Sequence, residues 1–353
     1  MATIARAQAR AASVWTPGIG FDYVTVLVSS WLLFGLGWDG WAHGQGLPDS
    51  FWTVWHLAFY SGYAATALVI LGAVARRRPF AASWLEAIPA GYEPAVAGLL
   101  VFAVGGVFDM AWHIAFGIET SADALLSPSH LVLGLGIALI VYGPIAAAWH
   151  RGGGGSFLAQ LPAVLSMSRL LSVFMFFNLF AGPYAAIIGL GPRPNEATLA
   201  RSVLGVYFFS WLIVGFALVA LRRRTLPVGA LTLILGLNGL GMILVRGHAP
   251  ADMQLTFIFV AFASGAVADV LLWRLRPSID RPGALHAFAF LVPFAYFAIY
   301  VAVVVLRLGT GWTVHELTGI VVLSGVAGLL LSLVFTAGAS TGIGGGPTAT
   351  ARH

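Results

Sequence analysis

Apolar residues run along this chain in ten long blocks that short polar segments separate. Each block is about 20 residues long, which is the length an α-helix needs to cross the hydrocarbon core of a bilayer. The runs are continuous rather than alternating, so the pattern predicts helices and excludes a transmembrane β-barrel. We therefore expect an all-α, polytopic membrane bundle of about ten transmembrane helices. The predicted spans cover about residues 22–43, 51–75, 94–117, 129–149, 165–190, 197–221, 227–246, 251–273, 284–306 and 315–337.

The charged residues predict how the bundle is oriented. Only 9 % of the residues are charged, and all 18 basic residues are arginines. Arginines follow the even-numbered spans at 76–78, at 151, at 222–224 and between 274 and 281. By the positive-inside rule these ends face the cytoplasm, as do both termini. We expect a multi-pass protein of the cell (inner or plasma) membrane that does not bind nucleic acid.

The domain organisation follows from the same pattern. We expect one membrane domain over 1–353, with a four-helix unit at 22–150 and a further six-helix region at 151–337. Residues 338–353 are rich in Gly, Ser, Thr and Ala and are predicted to be a disordered tail. The chain contains no cysteine, which excludes thiolate metal sites, disulfides and cysteine catalysis.

Ionisable residues collect at the predicted outer edge of the first four spans, in two similar motifs. In each motif an aspartate precedes a histidine by four residues at the end of one span, and a second histidine opens the next span. The second histidine follows after twelve intervening residues in the first motif and after sixteen in the second. The aspartates are 70 residues apart, so the motifs predict an internal repeat. Their members are Asp39, His43 and His56 in the first motif, and Asp109, His113 and His130 in the second.

These residue types can form a metal site. Residues at i and i+4 share one face of a helix, and a short turn brings the next helix back beside them. One carboxylate and two imidazoles then converge, a ligand set that suits a divalent transition metal. The alternative is a polar network in which each aspartate and histidine satisfy one another, or in which the aspartate only orients a histidine ligand. Secondary candidates at the same edge are Glu119, His248 and Asp252.

The two motifs resemble the metal-binding C subunit of the copper membrane monooxygenases, the particulate methane and ammonia monooxygenase family. That subunit has an Asp-x3-His-x12-His motif and, about seventy residues later, a second one with a longer final gap. The resemblance covers about residues 22–150 and implies that the first motif holds copper near the outer face, with a neighbouring copper site at the second. This chain has Asp109 where the family has asparagine, and its second gap is longer still.

The resemblance implies a membrane metal protein, with copper as cofactor, that oxidises a small apolar substrate with dioxygen or forms the metal-bearing subunit of such an enzyme. The expected partners are membrane lipid, the small hydrophobic substrate, and other membrane subunits or further copies of this chain. The residues alone leave iron or zinc open as the metal. They also leave open a metal-cation or proton-coupled transporter and, less favoured because every candidate histidine lies at the outer edge, a haem protein.

Overall fold

The computed structural model describes residues 15–48, 50–119, 122–152, 155–184, 187–223, 226–247 and 250–337, and the predicted tail at 338–353 lies outside them. The described residues form eleven α-helices and no β-strand, so the all-α prediction is confirmed. The helices are α1 (Ile19–Gly44), α2 (Val54–Arg77), α3 (Glu93–Phe116), α4 (Ala122–Leu126), α5 (Pro128–His150), α6 (Phe157–Phe177), α7 (Glu196–Arg223), α8 (Ala230–Arg246), α9 (Ala251–Leu275), α10 (Pro282–Val303) and α11 (Val314–Ala337).

Ten of these helices correspond to the ten predicted spans, and α4 is a short additional turn before α5. Within the described part of the chain, nine are long and apolar enough to cross a membrane, and α8, with 17 residues, is apolar but shorter. The chain is therefore a multi-pass membrane protein.

The fifth span differs from its prediction. It was placed at about 165–190, but α6 begins at Phe157 and ends at Phe177. Ser156 caps its first turn through a hydrogen bond from the Ala159 amide. Asn178 follows the last residue of the helix, and its side-chain amide donates 2.9 Å to the Phe174 carbonyl oxygen. An apolar run that continues past a helix end cannot be distinguished from a longer helix by hydropathy alone.

Two backbone groups in the segment that follows α6 form hydrogen bonds with one side chain of α10. The Tyr300 hydroxyl donates 2.8 Å to the Pro183 carbonyl oxygen and accepts 3.1 Å from the Ile188 amide. Backbone groups outside helices need such partners when water cannot reach them. Tyr300 is fully buried, so this hydrogen-bond pair anchors the segment inside the bundle.

Two helical hairpins carry the candidate metal ligands, and glycines let the helices of each hairpin come close. A Cβ on Gly35 of α1 would lie 2.4 Å from Cα of Phe59 in α2, and a Cβ on Gly62 of α2 would lie 2.5 Å from the Leu32 amide in α1. Gly98 of α3 packs in the same way on the backbone of Gly136 in α5. Small residues at crossings are typical of membrane helix pairs because van der Waals contact drives their association.

The two hairpins are joined at the end of the bundle opposite the candidate ligands. Arg151, just after α5, forms an ion pair with Asp22 in the first turn of α1. Tyr92, just before α3, donates a 2.7 Å hydrogen bond to the other oxygen of the Asp22 carboxylate. Asp22 is fully buried, so Arg151 and Tyr92 donate the hydrogen bonds that water would donate to an exposed carboxylate. The backbones of α2 and α3 approach each other at few points, and side chains such as Tyr63 and Phe102, whose rings stack with 4.4 Å between centroids, bridge them, while α1 packs on α6 and α8. Toward the end of the bundle that carries the candidate ligands, α2 and α3 leave a space between them. A cavity lies between the hairpins there.

Candidate metal centres

The first triad forms where α1 ends and α2 begins. Asp39 and His43 lie one turn apart on α1, and His56 lies in the first turn of α2. Oδ1 of Asp39 is 3.5 Å from Nε2 of His43 and 3.2 Å from Nε2 of His56. The side chains are between 15 % and 27 % exposed, so the group is sheltered but reachable. One ligand atom from each residue lies within 4.8 Å of the other two, and the triad could hold a metal ion.

His56 is held from behind by the turn between the two helices. Its Nδ1 lies 2.7 Å from the Ser50 carbonyl oxygen and 2.9 Å from the Thr53 hydroxyl. The ring also stacks on Tyr60, with 5.7 Å between ring centroids. These contacts fix the ring so that Nε2 points to Asp39.

The second triad has the same construction at the ends of α3 and α5. Oδ2 of Asp109 lies 3.4 Å from Nε2 of His113, and Oδ1 lies 3.1 Å from Nε2 of His130. Nδ1 of His130 lies 2.6 Å from the Ala124 carbonyl oxygen, which the short helix α4 positions. Ala124 precedes His130 by six residues, the same separation as Ser50 from His56. This group also could hold a metal ion.

Two further residues support the second triad only. Ser129 donates a 2.7 Å hydrogen bond to Oδ1 of Asp109. Glu119 lies behind His113, with Oε2 3.1 Å from Nδ1 of that ring. Partial burial of Glu119 acts to raise its pKa, but the nearby Ser127 hydroxyl and the nearby histidines outweigh burial, so the pKa lies below its ordinary value. Glu119, a secondary candidate ligand, thus contacts the far side of His113 rather than the triad centre.

The hydrogen bonds at Nδ1 of His56 and His130 determine whether a proton or a cation is needed between Nε2 of each ring and the aspartate. A backbone carbonyl only accepts, so Nδ1 of His56 and of His130 must each carry a proton. Nε2 of the same ring faces a carboxylate oxygen, which in its ionised form is also an acceptor. Either a second proton or a cation must therefore lie between Nε2 and the aspartate. Metal-binding histidines have this arrangement, with the second ring nitrogen donating to an oxygen.

The donor spacing fits an ion. A tetrahedral site with metal–ligand bonds of about 2.1 Å holds its donor atoms about 3.4 Å apart. The four distances between aspartate oxygens and Nε2 atoms run from 3.1 to 3.5 Å. Three protein donors leave at least one coordination position free, which is typical of catalytic rather than structural sites.

Residues of both triads line one cavity. Its volume is about 600 Å³, and every member of the two triads except His113 lies in its wall: Asp39, His43, His56, Asp109 and His130. The rest is almost entirely apolar and aromatic, with Phe59 and Phe102 from the two hairpins and Phe176 from α6 among its walls. Cavities of this size with a few converging polar groups are typical of small-molecule sites.

Comparisons of this chain with protein-family models, with curated proteins and with solved structures found no match. The functional argument accordingly depends on the geometry of the site.

The remaining candidates lie apart from the triads or outside the described residues. His248 is outside them. Asp252 is exposed in the first turn of α9, and it belongs to neither group of converging ligands.

Sequence reasoning missed two polar features that the structure reveals. Ser129 carried no signal, because a serine at the start of a helix is ordinary capping chemistry. Arg169 is a single charged residue in the middle of the α6 sequence. One charge changes the mean hydropathy of a long apolar segment little, so the prediction of a span does not draw attention to it. Its position inside a span is the signal that could have identified it.

Proposed function

We propose that the protein is a membrane metalloenzyme, or the metal-bearing subunit of one, that oxidises a small apolar molecule with dioxygen. The metal, proposed to be copper because of the family that the motifs resemble, is bound by one or both triads. The observation that carries the proposal is that ligands from both triads, all three of the first and Asp109 and His130 of the second, line a single apolar cavity. A structural polar network would not need two open carboxylate–imidazole groups around a shared space.

The residues of the chain itself would bind the metal ion and orient its ligand atoms. Three donors from two helices hold the ion, and the backbone bonds behind His56 and His130 keep the ligand nitrogens aimed at it. The apolar walls exclude water and accept a substrate that arrives through the lipid. Copper when bound would supply the redox chemistry with dioxygen. Each hydroxylation of a C–H bond also consumes two electrons and two protons and forms one water, so a reduced electron carrier is a required co-reactant.

Metal content tests the ligand assignment. The protein would be purified in detergent, loaded with copper, iron or zinc in separate samples, and analysed for bound metal per chain. We expect His56→Ala and His130→Ala each to lose the ion of one triad. His315→Ala is the matched control, because that exposed histidine opens α11 away from both triads and should leave metal content unchanged. Equal metal content in all four proteins would refute the assignment.

Activity separates the enzyme from the transporter alternative. Metal-loaded protein in liposomes would receive dioxygen, a chemical reductant and a small alkane, with alcohol formation as the readout. Parallel liposomes would be assayed for uptake of the same cation. We expect alcohol that depends on His56 and His130, and no saturable flux. Flux without oxidation would instead favour a permease.

A further inference from the structure

A second polar cluster lies at mid-depth in the bundle, away from both triads. Its centre is Arg169, about 18 Å along α6 from the start of the helix and about 12 Å from its end, at 1.5 Å per residue. A charged side chain at this depth is costly, and such residues usually pair with an acid or mark the path of a ligand. The proposed oxidation makes no use of it.

Arg169 has a hydroxyl partner and no acid. Its Nε donates 3.1 Å to the Ser30 hydroxyl of α1, and Nη2 donates to the same oxygen. Nη1 is buried and has no acceptor within the described part of the chain. Among the residues that the structure describes, no carboxylate forms an ion pair with this guanidinium. The cluster thus carries an unbalanced positive charge and a free donor.

A second incomplete group lies on the third helix of the cluster. Asn238 of α8 is fully buried and donates 3.1 Å from Nδ2 to the Ser172 hydroxyl of α6. Its Oδ1 has no donor among the described residues. Buried polar groups are almost always satisfied, so the free donor of Arg169 indicates that an acceptor belongs near it. The Asn238 oxygen is itself an acceptor and forms a separate incomplete group, which needs a donor.

The cluster borders a groove that reaches the lipid-facing surface. The groove has a volume of about 520 Å³, runs between α1, α6 and α8, and has Ser30 and Ser172 in its wall. Its other walls are apolar, and two of them, Phe34 and Leu244, are 61 % and 53 % exposed. Leu36, Phe176 and Val245 line both this groove and the cavity of the triads, so they form the partition between the two.

We propose that this groove binds a long-chain carboxylate from the bilayer. Arg169 is not in the groove wall, but its Nε and Nη2 point to the Ser30 hydroxyl, which is. The carboxylate would take the place of that hydroxyl as the acceptor of the guanidinium, balancing its charge, and the hydrocarbon chain would lie along the apolar wall beside Trp38 and Trp41. This site does not depend on metal or on the proposed oxidation.

Binding of radiolabelled hexadecanoate to the purified full-length protein tests this inference. We expect saturable binding, with unlabelled hexadecanoate as an effective competitor. Its methyl ester, which lacks the charge, should compete at least about 10-fold less well, which is the effect of losing one charge-assisted hydrogen bond. Arg169→Gln should lower the affinity by a similar factor. Arg307→Gln is its control, because Arg307 is exposed beyond the end of α10.

A groove-filling variant provides a second test that does not disturb the arginine. Gly241 lines the groove, and a Cβ there would meet nothing within 4 Å, so Gly241→Leu should fold and block the chain. Gly72→Leu is the control, since Gly72 has equal space on α2 and lies outside the groove. Unchanged binding in both Arg169→Gln and Gly241→Leu would overturn the proposal, as would equal competition by the ester or displacement by phosphatidylglycerol alone. Metal-site variants such as His130→Ala should bind hexadecanoate normally, which separates this site from the proposed function.

Discussion

The hydroxyl of Ser129 donates a 2.7 Å hydrogen bond to Oδ1 of Asp109, joining the start of α5 to the end of α3. The same carboxylate oxygen lies 3.1 Å from Nε2 of His130. Ser129 therefore fixes the orientation of the carboxylate of the second triad, a role for which the described residues of the first triad show no counterpart.

Loss of this bond should weaken metal binding at the second triad alone. Removing a partner that orients a ligand typically costs 10- to 100-fold in metal affinity. We expect Ser129→Ala to lower the affinity of one of two ions by about that factor, measured by titration with a chelator. Ser61→Ala is the control, because its hydroxyl bonds only the Ala58 carbonyl oxygen of its own helix. A loss shared equally by both ions would contradict the assignment of Ser129 to one triad.

Glu119 should distinguish the second triad further. Its carboxylate contacts His113, and its pKa is below the ordinary value of 4.5, so it is ionised at neutral pH. Glu119→Gln removes that negative charge and should reduce the affinity for a divalent ion at neutral pH. A carboxylate with a lowered pKa makes its full contribution to ion binding at any pH above its ordinary pKa. It loses that contribution as the pH falls through the lowered pKa. Wild type and variant should thus converge in acid, whereas a constant difference at every pH would contradict a charge effect. Glu196→Gln, at an exposed position in the first turn of α7, serves as control.

Filling the shared cavity should stop oxidation without removing metal. Gly106 lines the cavity, and a Cβ there would meet nothing within 4 Å. Gly106→Leu places a branched side chain in the space, and leucine is a better helix former than glycine, so the helix should be retained. We expect alcohol formation to fall at least about 10-fold, the effect of about 1.4 kcal/mol on the barrier, with metal content unchanged. Gly72→Leu should leave both unchanged, and full activity of the Gly106 variant would place the reaction elsewhere.

Asp269 should contribute to stability and not to metal binding. This buried carboxylate of α9 accepts from the Leu231 and Thr232 amides, at 3.2 and 2.8 Å, and from the Thr232 hydroxyl at 2.6 Å, at the start of α8. Asp269→Ala leaves these donors without an acceptor, which costs about 1–3 kcal/mol for each buried group. We expect a lower melting temperature in detergent with normal metal content below the transition. Asp280→Ala, at an exposed position, should melt like the wild type.

Local sequence determined much of this architecture. Helices were predictable because lipid leaves the backbone no other way to satisfy its hydrogen bonds. The pairing of Asp39 with His43, and of Asp109 with His113, was predictable because residues four apart share one helix face. The end of α6 was predicted wrongly at 190. Hydropathy cannot separate a helix from an apolar segment whose backbone is satisfied by a distant side chain, here that of Tyr300.

What the sequence by itself determined is that the chain crosses the membrane as helices and carries two Asp/His motifs at helix ends, since both follow from composition and from the period of the α-helix. Only the tertiary structure decided that both motifs open onto one cavity, that Ser129 and Glu119 support just one of them, and that Arg169 meets Ser30 instead of an acid. These relationships join residues on different helices. They depend on which helix packs beside which, and no local pattern encodes that.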